Sequence, residues 1–75
     1  MIKEKFLELI QETLEMDGKE VKMNDIFRDY EEWDSLAILS VFAMVNEEFD
    51  IIMKREDFNK IKTIEEMYSY LLTKV

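Results

Sequence analysis

The residues Asp34-Ser35-Leu36 place one hydroxyl at the head of an uncharged stretch, inside EEWDSLAILSVFAMVNEEFD (residues 31–50). More than a third of the chain is charged, yet Ser35 to Asn46 carries no charge at all. Asp34 closes one end of that run, and Glu47 and Glu48 close the other. A hydroxyl is a nucleophile only when something removes its proton. The chain holds no histidine and no cysteine. Ser-His-Asp and Cys-His catalysis are therefore excluded, as are thiolate metal sites and disulfides. Ser35 thus has no histidine or cysteine to activate it within this chain, and no catalytic residue and no metal site are expected.

The charge balance points the same way. Eighteen acids against ten bases give a net charge of −8, which disfavours nucleic acid and anionic lipid as partners and favours basic ones. Between Arg28 and Lys54 there are seven acids (Asp29, Glu31, Glu32, Asp34, Glu47, Glu48, Asp50) and no Lys or Arg. These acids bracket the hydroxyl. No apolar run approaches the roughly 18 residues that span a bilayer, and the amphipathic start MIKEKFLELI lacks the apolar core of a secretory signal. The expectation is a cytoplasmic protein without membrane insertion.

The elements that must position Ser35 follow from periodicity. Seventy-five residues, 48% of them hydrophobic, make one small folded domain, 1–75. Ile2, Phe6, Leu9, Ile10 and Leu14 recur at helical spacing, which predicts a first helix over about 2–16, ended by Asp17-Gly18. Residues 17–33 have no clean period. Six scattered apolar residues (Val21, Met23, Ile26, Phe27, Tyr30, Trp33) predict a long loop pinned to the core, with one helical turn around 24–28.

Asp34 is placed to cap a second helix running to about Phe49. Ile38, Val41, Phe42, Val45 and Phe49 share its core face, while Leu36, Ser40, Ala43, Met44 and Glu47 lie opposite. That opposite face is mostly small or apolar, as a docking surface would be; a helix buried on most sides would show the same pattern. Asp50–Lys54 reads as a connector anchored by Ile51 and Met53, and Arg55–Ile61 as a short helix. Thr63-Ile64-Glu65-Glu66 is a capping box opening a last helix with the face Ile64, Met67, Tyr68 and Leu71. The predicted fold is all-α: a small four-helix bundle with three longer helices, one short third helix and a long first loop.

In this order, Asp34-Ser35-Leu36, Asn46-Glu47-Glu48-Phe49-Asp50-Ile51 and Lys60-Ile61-Lys62-Thr63-Ile64-Glu65-Glu66 resemble the acyl carrier protein family. The resemblance extends over essentially the whole chain as a single carrier domain. It implies that Ser35, flanked by Asp34 and Leu36, is the attachment point for 4′-phosphopantetheine, delivered from coenzyme A by a phosphopantetheinyl transferase. It implies that Leu36, Leu39, Ala43 and Glu47 contact partner enzymes: acyl ligases, synthases or transferases with basic or apolar docking patches. It also implies that Phe42, Val45, Phe49, Met53 and Ile61 line a cavity for an acyl chain, and that the protein is a monomer.

The chain departs from the fatty-acid-synthesis pattern. Ala37, Ser40 and Asn46 stand where acids are usual, Glu31-Glu32-Trp33 replaces a Leu-Gly approach, and Lys54 replaces a proline. The resemblance is therefore to a specialised carrier, of the kind used in surface-glycan or natural-product modification. An aminoacyl or D-alanyl carrier has the same attachment chemistry. An unmodified acidic helical adaptor is the alternative from another class.

Overall fold

The computed structural model describes residues 2–16 and 18–74, and among them the regular structure is helical. Helix α1 spans Lys3–Thr13, α2 Ser35–Phe49, α3 Arg55–Phe58 and α4 Ile64–Leu72. A 3-10 turn, Phe27–Asp29, interrupts the long loop between α1 and α2. No helix among the described residues is long and apolar enough to cross a membrane.

The core is made of the residues whose spacing announced it. Phe6, Leu9, Ile10 and Leu14 from the first helical segment meet Val41 and Val45 of α2, Phe58 of α3, and Ile64, Met67 and Leu71 of α4, all buried. Four methionines, Met16, Met44, Met53 and Met67, are buried among them, filling gaps that branched side chains fit less easily. Among the described residues no polar or charged one is buried.

Several boundaries differ from the periodicity reading, each for a local reason. Helix α1 stops at Thr13 because Glu15 adopts the left-handed conformation (φ 54°) and the Met16 amide donates back to the Gln11 carbonyl at 2.9 Å. That is a helix end closed by a non-glycine residue. Gly18 also has positive φ (79°), but it lies beyond the end; Asp17 is outside the described residues. Ile2 is exposed rather than part of the core stripe. The turn in the loop falls at 27–29 rather than 24–28, and Ile26 is 49% exposed instead of anchoring it. Helix α3 ends at Phe58, four residues long, and Ile61 reaches the core from the following turn.

The largest difference lies on α2. Met44, expected on the outward face, is buried, and so is Ala37. Ala37 shares a cleft with Thr13 and Leu14, so the end of α1 lies over that flank of α2. Ile38, Phe42 and Phe49 are only half-buried. The helix is covered on two flanks, and its free face is narrower than one-sided amphipathicity implies.

The long loop is held down by hydrogen bonds to distant parts of the chain. The Ile64 amide donates to the Asp25 carbonyl (3.0 Å) and the Glu65 amide to the Met23 carbonyl (2.8 Å). These are first-turn amides of α4 that have no partner within their own helix. Arg28 donates to the Phe58 carbonyl at 2.8 Å and to the Ile61 carbonyl at 3.2 and 3.3 Å. The Tyr30 hydroxyl donates to Asp25 at 2.8 Å. Burial, followed by the adjacent Asp25 carboxylate, pushes the Tyr30 phenol well above its ordinary range.

Candidate functional site

Ser35 is the first residue of α2 and is exposed. Its neighbour Asp34 is extended (φ −153°, ψ −172°), and its side-chain Oδ1 accepts from the Ala37 amide at 2.8 Å. The Asp34 carbonyl accepts from the Ile38 amide at 3.2 Å, the first bond of the helix. An aspartate with its short carboxylate and extended backbone is the residue type that starts a helix in this way. The cap therefore fixes where the helix begins, and so fixes Ser35 at the helical end that favours negative charge.

This geometry fits a serine phosphodiester. The hydroxyl projects from a surface position. The amides of Ser35 and Leu36, at the first two helical positions, precede the first intrahelical bond, and the Asp34 carboxylate serves the third. Among the described residues no group of His, Cys, Asp or Glu gathers as a metal ligand set.

Beside the serine, an open cleft of about 430 Å³ runs between α1 and α2, lined by residues including Leu14, Glu15, Glu32, Leu36, Ala37 and Ser40. Glu32 is tied to Lys19 by a hydrogen bond, and Glu31 lies 3.6 Å from the same ammonium. Lys19 lowers the Glu32 carboxyl below its usual range, chiefly through that hydrogen bond. The acidic approach to the site is thus partly neutralised, leaving Asp29, Asp34, Glu47, Glu48 and Asp50 exposed.

The residues expected to meet partners lie on the surface. Leu36 is 71% exposed and Leu39 60%, and Ala43 and Glu47 are exposed further along α2. The residues expected around an acyl chain are interior or near it. Val45, Met53 and Ile61 are buried, and Phe42 and Phe49 are half-buried.

Three features near the site were not foreseen. One is the cleft, which arises only when the end of α1 meets the start of α2. Another is the role of Arg28, which the sequence marks only as the last base before the acidic stretch. The third is a cluster of four rings, Phe27, Trp33, Phe42 and Phe58, from segments far apart in the chain. An exposed Ile52 (82%) beside the buried Ile51 and Met53 is a further apolar point on this half of the surface.

The fold and site are those of a small four-helix domain with an exposed, acid-capped serine at the start of its second helix. Comparison with known proteins says which class of domain this is. The family model described as the phosphopantetheine attachment site matches residues 4–71. Curated relatives include the acyl carrier proteins of Clostridium acetobutylicum (34% identical, covering 95% of this chain and 92% of the relative), Bdellovibrio bacteriovorus (37%, covering 89% and 86%) and Petrotoga mobilis (33%, covering 96% and 85%). No solved structure matches significantly. The chain belongs to the acyl carrier protein family, whose prosthetic group is 4′-phosphopantetheine.

Proposed function

We propose that Ser35 carries the 4′-phosphopantetheine arm and that the protein presents acyl groups as thioesters to partner enzymes of a fatty-acid-like or a secondary, glycan-modification pathway. The observation that carries this reading is the exposed serine at the first position of α2, capped by Asp34, within the span matched by the family model. When bound, the arm supplies the thiol that a chain without cysteine lacks.

Attachment balances as a phosphoryl transfer. The Ser35 oxygen forms a bond to the β-phosphorus of coenzyme A, the bond to adenosine 3′,5′-bisphosphate breaks, and the serine proton leaves to a base. Base and metal come from the transferase. What this chain contributes is position: Asp34 sets the helix start, and the first-turn amides favour the diester charge.

Leu36, Leu39, Ala43 and Glu47 form the docking strip, with two exposed leucines and a single acid. Such a strip is recognised by shape and apolar contact as well as by charge. Phe42, Val45, Phe49, Met53 and Ile61 are where an acyl chain would lodge if it entered the bundle.

The test is mass spectrometry. Incubation with coenzyme A and a broad-specificity phosphopantetheinyl transferase adds one phosphopantetheine mass, and Ser35→Ala abolishes the gain. An unmodified wild-type protein, under conditions that load a control carrier, refutes the carrier reading and favours an adaptor.

A further inference from the structure

The volume between α2 and α3 is occupied by rings. Phe58, fully buried, meets Phe42 edge-on at 5.1 Å, tilts against Phe27 at 5.5 Å and stacks on Trp33 at 6.0 Å. Phe27 and Trp33 meet edge-on at 4.9 Å. These four rings come from the long loop, α2 and α3, and Phe42 is one of the positions expected to line an acyl cavity.

Arg28 fastens the same cluster from outside. Its guanidinium lies 5.0 Å from the Phe58 ring centre and 5.2 Å from that of Phe27, while it donates to the Phe58 and Ile61 carbonyls. The central ring is thus held through both its side chain and its backbone. Interiors packed in this way resist added volume, because every displaced ring loses several partners at once. The open room beside Ser35 lies on another flank of α2, where Glu15, Glu32 and Ser40 share the walls with Leu14, Leu36 and Ala37.

We propose that the cargo of this carrier stays outside the bundle, and that its acyl group is short or polar rather than a long alkyl chain. The inference rests on the reading of Ser35 as the attachment point. A long chain on such a carrier has two choices. It displaces a ring from the four-membered cluster, or it lies in water with its apolar surface unburied.

The experiment loads the protein from acetyl-, hexanoyl- and decanoyl-coenzyme A with a transferase and follows thioester cleavage by hydroxylamine. The expected rates agree within about twofold across the three lengths, since a chain that is not sheltered leaves the thioester equally open. A wild-type decanoyl thioester cleaved about tenfold more slowly than the acetyl one, as expected for a chain nine-tenths withdrawn, overturns the proposal. In Phe42→Ala, at a half-buried position, a length dependence is expected to appear; rates that stay flat there as well overturn the claim that the rings are what bars the interior.

Loading is read separately by intact mass, so a chain that is never modified refutes the attachment reading instead. In that case alkyl thiols of increasing length are joined by a disulfide to S35C, the only cysteine that the variant then contains. Amide NMR shifts of Phe42, Val45 and Ile61 that do not move with alkyl length support the closed interior. Shifts that grow with length refute it.

Discussion

The Asp34 cap offers a direct way to separate hydrogen bonding from charge at this site. Asp34→Ala removes the acceptor of the 2.8 Å bond from the Ala37 amide. Loss of a helix cap costs about 1 kcal/mol, within a range of about 0.5–2. Ala37 is only 7% exposed, so water replaces the lost acceptor poorly and the upper part of that range applies, about 1.5–2 kcal/mol. For a domain of this size each kcal/mol lowers the melting temperature by roughly 4–8 °C, so a fall of about 6–16 °C is expected. Asp34→Asn keeps a side-chain oxygen at the same place and loses only the charge. Asparagine caps about as well as aspartate, and the charge at a helix start is worth about 0.5 kcal/mol, so this variant should fall by only about 2–4 °C. Thermal unfolding followed by circular dichroism at low salt measures both. If the asparagine variant falls as far as the alanine variant, the hydrogen bond is not what fixes the helix start, and the positional argument for Ser35 loses its foundation.

Arg28→Lys should destabilise the fold by about 1–2 kcal/mol, because an ammonium cannot reach two carbonyls and stack on two rings together; the midpoint of urea unfolding should fall with its slope unchanged. Glu66 accepts from the Lys62 and Thr63 amides, which hold its carboxyl below the usual range. A depressed folded pKa contributes stability above the unfolded value, so the advantage of wild type over Glu66→Gln should shrink as pH falls below about 4.3. The raised Tyr30 phenol has the opposite sign: its contribution is full below about 10 and is lost as pH rises further, so the gap to Tyr30→Phe should narrow only in that alkaline window. Binding of a partner to the Leu36–Glu47 strip should weaken only mildly between low and high salt; a steep fall would show that charge dominates there.

How much of this was legible in the sequence depends on the range of the interaction. The capping box at Thr63 and the cap at Asp34 are local patterns of three or four residues, and both stand in the structure, the Glu66 amide donating to Thr63 Oγ1 at 3.1 Å. Helical periods revealed α1 and α4, each of which buries one stripe, and located the core stripe of α2 only in part. The end of α1 was misplaced because a glutamate took a conformation that glycine takes far more readily. Met44 falls on the outward face by spacing yet is buried, because a second covered flank of α2 depends on how the neighbouring segments pack, and no spacing within α2 records that. The ring cluster and the reach of Arg28 join residues about thirty positions apart, which residue types alone did not disclose.

The two amides that α4 gives to the loop have a consequence for the order in which the molecule assembles. Met23 and Asp25 wait some forty positions for their partners at Glu65 and Ile64. Until the final helix has docked, those two backbone bonds of the segment leading into Asp34 cannot form. A lesion near the far end of the chain can therefore loosen the approach to the serine without touching the residues around it.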